Sequence, residues 1–383
     1  MDEAAATMAS SLCAALRGEA VDLPFSGRCE LEAQLRASVA YHGIGPLLSQ
    51  KLARTDSRWP GALEFLCAAR PDKREAAIEL LRRHELERVL TALAGSGVCV
   101  LLLKGAALAY SLYPSPTLRP RMDTDLLVRE TQRATAEQIL VDLGYSKPNA
   151  ISGRLVRYQC GYARRDRFGI DHLLDLHWRI SNTQLFSRAL DFEELWQRSL
   201  GVADLGKHAR RLGSAHALLH ACMHRAHHMN SPIHMGDTPP MQGDRLIWLY
   251  DIHLLLESMS PEERLDFAGL AADRGMRAVC RDGLLRAGRC FGTQLEEGVL
   301  LALQNTGTAE PSEACLRSGH MRYLLNELRA LPGWRDRAQF LREHLFPPPR
   351  YMLAKYAVAN RAWLPMLYLQ RGIHGARKML QRP

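Results

Sequence analysis

The sequence predicts an α+β fold: a small mixed β-sheet core flanked by N-terminal and C-terminal helical regions. Three observations predict it. Up to about residue 95, apolar residues recur at three- and four-residue steps. Short apolar runs bounded by Gly and Pro then follow between 98 and 180. After 180 the helical spacing returns.

Residues 1–95 form the N-terminal helical region, rich in Ala and Leu, with Lys73 to Leu93 as its clearest helix and Pro24, Pro60 and Pro71 as breaks. The core, 96–180, opens after Gly95-Ser96-Gly97 with Val98 to Leu103, a β-branched-containing run that suits a buried strand. Ala106 to Tyr113 suits a short helix, and Pro114, Pro116 and Pro120 force a loop after it. Thr124 to Val128 is a second strand, and Thr131 to Leu143 a helix stopped by Gly144. Arg154 to Ala163 and Ile170 to Ile180 are two further strands around a turn at Asp166 to Gly169. Residues 181–345 read as a C-terminal helical domain, and Pro347-Pro348-Pro349 introduces a basic amphipathic tail, 346–383.

Composition narrows the function. With 383 residues and 47% hydrophobic content, the chain can bury a sizeable core. Its mean hydropathy of −0.20 and charge-broken apolar runs argue against a membrane-spanning protein. Met1-Asp2-Glu3 is acidic where a signal peptide carries cations. The nine cysteines are scattered, with no C-x-x-C pair, which disfavours a disulfide framework or zinc ribbon and points to a reducing, cytoplasmic setting. No Walker A loop, dinucleotide fingerprint, serine elbow or deaminase Cys/His set occurs.

The net charge of +9 is concentrated in the tail. No acidic residue follows Glu343, while Arg350, Lys355, Arg361, Arg371, Arg377, Lys378 and Arg382 do. Basic and aromatic residues interleave there at helical spacing. Either the tail packs its apolar side on the body, or it makes a weak contact with an anionic surface, lipid or phosphate polymer, peripheral at a membrane.

The sharpest feature is Met122-Asp123-Thr124-Asp125-Leu126-Leu127-Val128. On a strand, Asp123 and Asp125 project to one side. Paired carboxylates repel unless a cation neutralises them, and an oxygen-preferring divalent ion such as Mg²⁺ suits them. Upstream, Lys104-Gly105-Ala106 forms a strand-to-helix turn whose glycine lets backbone N–H groups approach an anion and whose lysine suits a phosphate. Downstream, Asp171, Leu173, Asp175 and His177 share one face of a strand whose other face is mostly apolar, so Asp175 reads as a third carboxylate. His177 reads as a hydrogen-bonding neighbour rather than a ligand. His216, His220 and His224, with His227 and His228 beyond, read as a polar helix face lining the cleft in preference to a zinc site.

Taken together, the strand, Lys104-Gly105, helix, Arg119, Asp123-Thr-Asp125-Leu-Leu-Val, helix, Gly144-Tyr145 and Asp175-Leu-His-Trp resemble the uncharacterised nucleotidyltransferase family of the DNA polymerase β-like superfamily. They are also similar to the abortive-infection toxin nucleotidyltransferases. The motifs cover about 98 to 180. The resemblance implies an enzyme moving a nucleoside monophosphate from a nucleoside triphosphate, ATP among them, to a hydroxyl or phosphate acceptor with release of pyrophosphate. It implies that Asp123, Asp125 and Asp175 hold Mg²⁺, or Mn²⁺ in its place. Gly105 would meet the β- and γ-phosphates, with Lys104, Arg119 and Arg121 against the remaining negative charge. The turn departs from the superfamily in carrying Ala106 where Gly or Ser is usual, and the gap from Gly105 to Asp123 is longer. On the helix after the catalytic unit, Arg245 and Asp251 either touch the acceptor or form a buried ion pair between helices. Two other readings remain: an inactive binding module on the same fold, and a nucleic-acid-binding protein using the tail.

Overall fold

The computed structural model describes residues 3–19, 21, 29–52, 73–147, 153–229, 243–304, 307, 310–316 and 320–380. Pro24, Pro60 and Pro71 lie outside the described residues. Among the described residues, four helices precede the sheet: α1 (Glu3–Arg17), α2 (Cys29–His42), α3 (Gly45–Leu52) and α4 (Lys73–Gly95). The core runs β1 (Val100–Leu103), α5 (Lys104–Ala109), β2 (Thr124–Val128), α6 (Arg133–Asp142), β3 (Gln159–Arg165) and β4 (Asp171–His177). After it come α7 (Gln184–Ser187), α8 (Phe192–Gln197), β5 (Leu200–Gly201), β6 (Arg210–Arg211), α9 (Ser214–His228), α10 (Leu246–Glu257), α11 (Pro261–Asp273), α12 (Arg277–Phe291) and α13 (Glu297–Ala302). The chain finishes with α14 (His320–Ala330), α15 (Trp334–Leu345), α16 (Pro349–Lys355) and α17 (Leu364–Leu380).

The six strands form one mixed sheet, ordered β3-β4-β2-β1-β6-β5. β2 is the pivot: it runs antiparallel to β1 and parallel to β4. Period-two alternation sorts its side chains. Val100, Leu102, Leu126, Val128, Leu174 and Leu176 join one apolar layer with Val89, Leu90 and Leu93 of α4 and Ala136 and Leu140 of α6. Leu101, Leu103 and Leu127 point the other way, into a larger core shared with α1, α3 and α9 to α12. The sheet is thus covered on both sides, which is why β1 and β2 read as continuous apolar runs. Asp125, Asp175 and His177 occupy the face that meets the C-terminal helices.

Two differences from the sequence reading have local causes. The helix after β1 ends at Ala109, not Tyr113, because the Pro-rich segment that follows turns the chain early. The sheet also continues past 180, taking in β5 and β6, two-residue pieces too short for any periodicity to mark.

Two glutamates, Glu343 half-buried and Glu327 buried, tie the C-terminal helices to the core. The Glu343 carboxylate accepts backbone N–H groups of Arg154, Leu155 and Val156 at 2.9, 2.8 and 3.2 Å. Glu327 accepts Gln184 N–H at 2.8 Å and the Thr183 hydroxyl. Among the described residues, no helix is long and apolar enough to cross a membrane.

Candidate active site

Strand register builds the site. Asp125 and Asp175 are opposed across the parallel β2–β4 pair, and Leu127 opposes His177, so all three polar side chains stand on one face. One ligand atom from each of Asp125, Asp175 and His177 lies within 4.8 Å of the other two. Among the described residues this is the one such group of three or more His, Cys, Asp or Glu side chains. They line a cleft of about 530 Å³ between the sheet and helices α9 and α10.

Asp125 is buried and doubly held: the Lys104 ammonium and His177 Nε2 both donate to its Oδ1 at 2.8 Å. Burial alone would raise its carboxyl pKa, but Lys104 and His177 outweigh that and hold it well below the usual range. An ionised carboxylate only accepts, so His177 carries its proton on Nε2. Its buried Nδ1 has no hydrogen-bond partner. Asp123 sits one residue before β2 begins. It has no ladder partner and stands at the solvent-facing edge of the same cleft, outside the tight group. Partial desolvation there, then the negative charges of Asp125 and Asp175, push its carboxyl up to about 6. Three carboxylates against one ammonium are a donor set that a hard divalent cation would balance, with oxygens as the ligands Mg²⁺ and Mn²⁺ prefer.

Asp175 is oriented from the neighbouring strand. Gln159 donates to its Oδ2 at 2.5 Å, and Asn182 in turn donates to Gln159 at 2.6 Å. Gly161 lies directly opposite Asp175 in the antiparallel β3–β4 pair. A Cβ there would come within 3.2 Å of Asp175 Oδ1, so the glycine leaves the carboxylate its room. Sequence reasoning missed Gln159, Gly161 and Asn182. The only signal for Gln159 and Gly161 was their place on a strand beside an acidic one, and Asn182, in the bend after β4, carried none.

Lys104 adopts φ 49°, a left-handed conformation that a residue with a Cβ holds at a cost of about 1–3 kcal/mol. That turn carries the amine back over the sheet edge onto Asp125. Gly105 also lines the cleft, whereas Ala106, 1% exposed, sends its methyl into the core.

The arginines are placed differently from their expected roles. Arg119 is buried and makes a bidentate pair with Asp251 of α10, Nη2 to Oδ2 at 2.7 Å and Nε to Oδ1 at 2.9 Å. The Tyr113 hydroxyl donates to the same carboxylate at 2.7 Å, and Arg119 Nη1 donates to the Pro120 carbonyl. Asp251 is therefore in an ion pair, though with the loop before β2 and not with another helix. Arg121 pairs with Glu79 of α4, which also accepts the Tyr110 hydroxyl. By contrast, Arg245 and Arg211 form no ion pair among the described residues. Arg245 donates to the Tyr41 carbonyl and lies over the Trp248 ring, its guanidinium 5.4 Å from the centroid. Arg211 donates to the Leu212 carbonyl at 3.0 Å. Both line the cleft, and burial pushes both pKa values down.

His220, His224, His227 and His228 line the opposite wall, as the sequence reading had it, whereas His216 bonds Glu194 away from the cleft. Burial, and the Lys104 charge, push His220 down to about 3 and His227 to about 4. The wall is therefore neutral at pH 7. His224 packs edge-on against Trp248, ring centroids 5.3 Å apart.

Comparison with known proteins adds a family. The sequence profile of a family described as an uncharacterised nucleotidyltransferase matches residues 32–292, well over half of the chain. No curated protein matches. Among solved structures, an antigenic nucleotidyltransferase-like protein from Paracoccidioides brasiliensis aligns at 12% identity and a TM-score of 0.32, covering 57% of this chain and 95% of that one.

Proposed function

The chain belongs to the uncharacterised nucleotidyltransferase family, and from that membership we propose a Mg²⁺-dependent enzyme that moves a nucleoside monophosphate from a nucleoside triphosphate to a hydroxyl or phosphate acceptor. The acceptor oxygen bonds to the α-phosphorus, the α–β bridging bond breaks and pyrophosphate leaves. The observation that carries this reading is the convergence of Asp125, Asp175 and His177 in a cleft of about 530 Å³.

Asp125 and Asp175 hold the cation, and Asp123 joins them from the cleft edge. A bound Mg²⁺, or Mn²⁺ in its place, supplies charge neutralisation at the phosphates and eases deprotonation of the acceptor. His177 fixes the Asp125 carboxylate through Nε2. Gln159 fixes Asp175. Lys104 and the Gly105 turn meet the triphosphate. Arg245 and Arg211, which pair with no acid among the described residues, bring further positive charge to the cleft, while Arg119 and Arg121 brace its wall. The neutral histidine wall and Trp248 give the rest of the substrate a polar, partly aromatic surface.

The direct test is incubation of the full chain with each α-labelled nucleoside triphosphate, Mg²⁺ and a metabolite panel. Pyrophosphate release that stops on chelation and returns with Mg²⁺ is the expected result. Absence of both nucleotide binding and Mg²⁺ binding by calorimetry sinks the reading. One observation favours the inactive-module alternative: the Lys104 ammonium already neutralises Asp125. That alternative expects nucleotide binding without turnover for every acceptor.

Gly161→Ala separates activity from stability. Crowding Asp175 by a methyl is expected to slow transfer ~10- to 100-fold. The melting temperature should hold or rise, since Ala suits a strand interior better than Gly. Unchanged turnover would show that Asp175 needs no such room.

A further inference from the structure

Helix α17 has two apolar faces. One is docked: Leu367 is buried, the Tyr368 hydroxyl donates to the Pro347 carbonyl at 2.7 Å, and the Tyr368 ring lies 5.7 Å from Phe346. Arg371 donates to the His344 carbonyl at 3.3 Å. These contacts fix the helix about its own axis. The other face carries Met366, Leu369 and Ile373, extended by Trp363 in the turn before it. At 100° per residue the three helical positions fall within about 60° of one another, one narrow stripe. Their exposures run from 46% to 65%. The docked contacts hold the stripe outward.

Along the chain, the tail that carries the stripe is wholly basic or neutral. No acid follows Glu343, and Arg350, Lys355 and Arg361 are exposed. We propose that α17 lies in the plane of an anionic lipid surface, with Trp363, Met366, Leu369 and Ile373 in the headgroup–acyl boundary and the tail's cations against lipid phosphates. Both halves of the observation are used by this partner. A phosphate polymer would use the cations but gain little from Leu369 and Ile373, which offer no stacking surface. A second copy would cover the stripe but bring two acid-free tails together.

The test uses the full chain and sedimentation with sucrose-loaded vesicles, phosphatidylcholine alone or mixed with phosphatidylglycerol. The chain should pellet with the anionic vesicles at least tenfold more strongly than with the neutral ones, and less as salt rises. The variant Trp363→Ser, Met366→Ser, Leu369→Ser, Ile373→Ser should lose that binding tenfold or more while keeping its thermal melt, because all four side chains are exposed. Several results would overturn the proposal: no pelleting, equal pelleting with both vesicles, or a variant that binds as well as the native chain. Displacement from vesicles by single-stranded polynucleotide would assign the tail to nucleic acid instead. A concentration-dependent dimer lost in the variant would assign the stripe to a second copy.

Discussion

Asp125→Asn should abolish Mg²⁺-dependent transfer, lowering kcat/KM by ~10³-fold or more, the scale at which one charge-stabilising group contributes ~4 kcal/mol to a barrier. The physical reason lies in its three partners. Asp125 Oδ1 meets Lys104 and His177, and its strand register sets it beside Asp175. An amide of the same size keeps the packing but removes the charge that draws a cation. It also presents donors to groups that themselves donate. Asp175→Asn should behave alike, while Asp171→Asn, exposed at the far end of the same strand face, should be silent. Turnover by Asp125→Asn above a tenth of the native rate would remove this carboxylate from the chemistry.

Asp251→Ala should be the most destabilising substitution near the cleft, by ~3–5 kcal/mol, because it strands a buried guanidinium. Arg119 loses both arms of its bidentate contact, and the Tyr113 hydroxyl loses its acceptor. The penalty belongs to the orphaned charge more than to the lost attraction. The double variant Arg119→Met, Asp251→Leu should therefore recover most of the stability in urea titrations. If it is no more stable than Asp251→Ala alone, the loss does not come from the orphaned guanidinium and the desolvation account fails. Activity is a separate readout: a folded double variant that still turns over would leave Arg119 as a brace and not a phosphate ligand.

The polar half of the site was legible because strands announce which side chains share a face. Asp171-His-Leu-Leu-Asp175-Leu-His177 alternates, and the structure keeps that alternation as far as Asp175, the open face closing over at His177, which is buried. Asp125 was likewise readable from its strand. Asp123 precedes the strand, as expected, and β2 pairs only from Thr124, opposite Leu174, so strand register does not fix where Asp123 points. Gln159 and Gly161 could not be found, because their importance comes from the strand opposite and not from their own neighbours in sequence.

What the sequence determined by itself was the class of fold, the order of the core elements along the chain and the strand face that Asp175 shares with His177. Each of these follows from local periodicity and turn chemistry, which act within a few residues. Only the tertiary structure decided how the charges are shared out. Arg119 is claimed by an aspartate 132 residues away and Arg121 by a glutamate 42 residues back, leaving Arg245 and Arg211 as the cleft's arginines with no acid partner among the described residues. Pairing of buried charges depends on distance in space and on desolvation, and neither is written in the spacing along a chain.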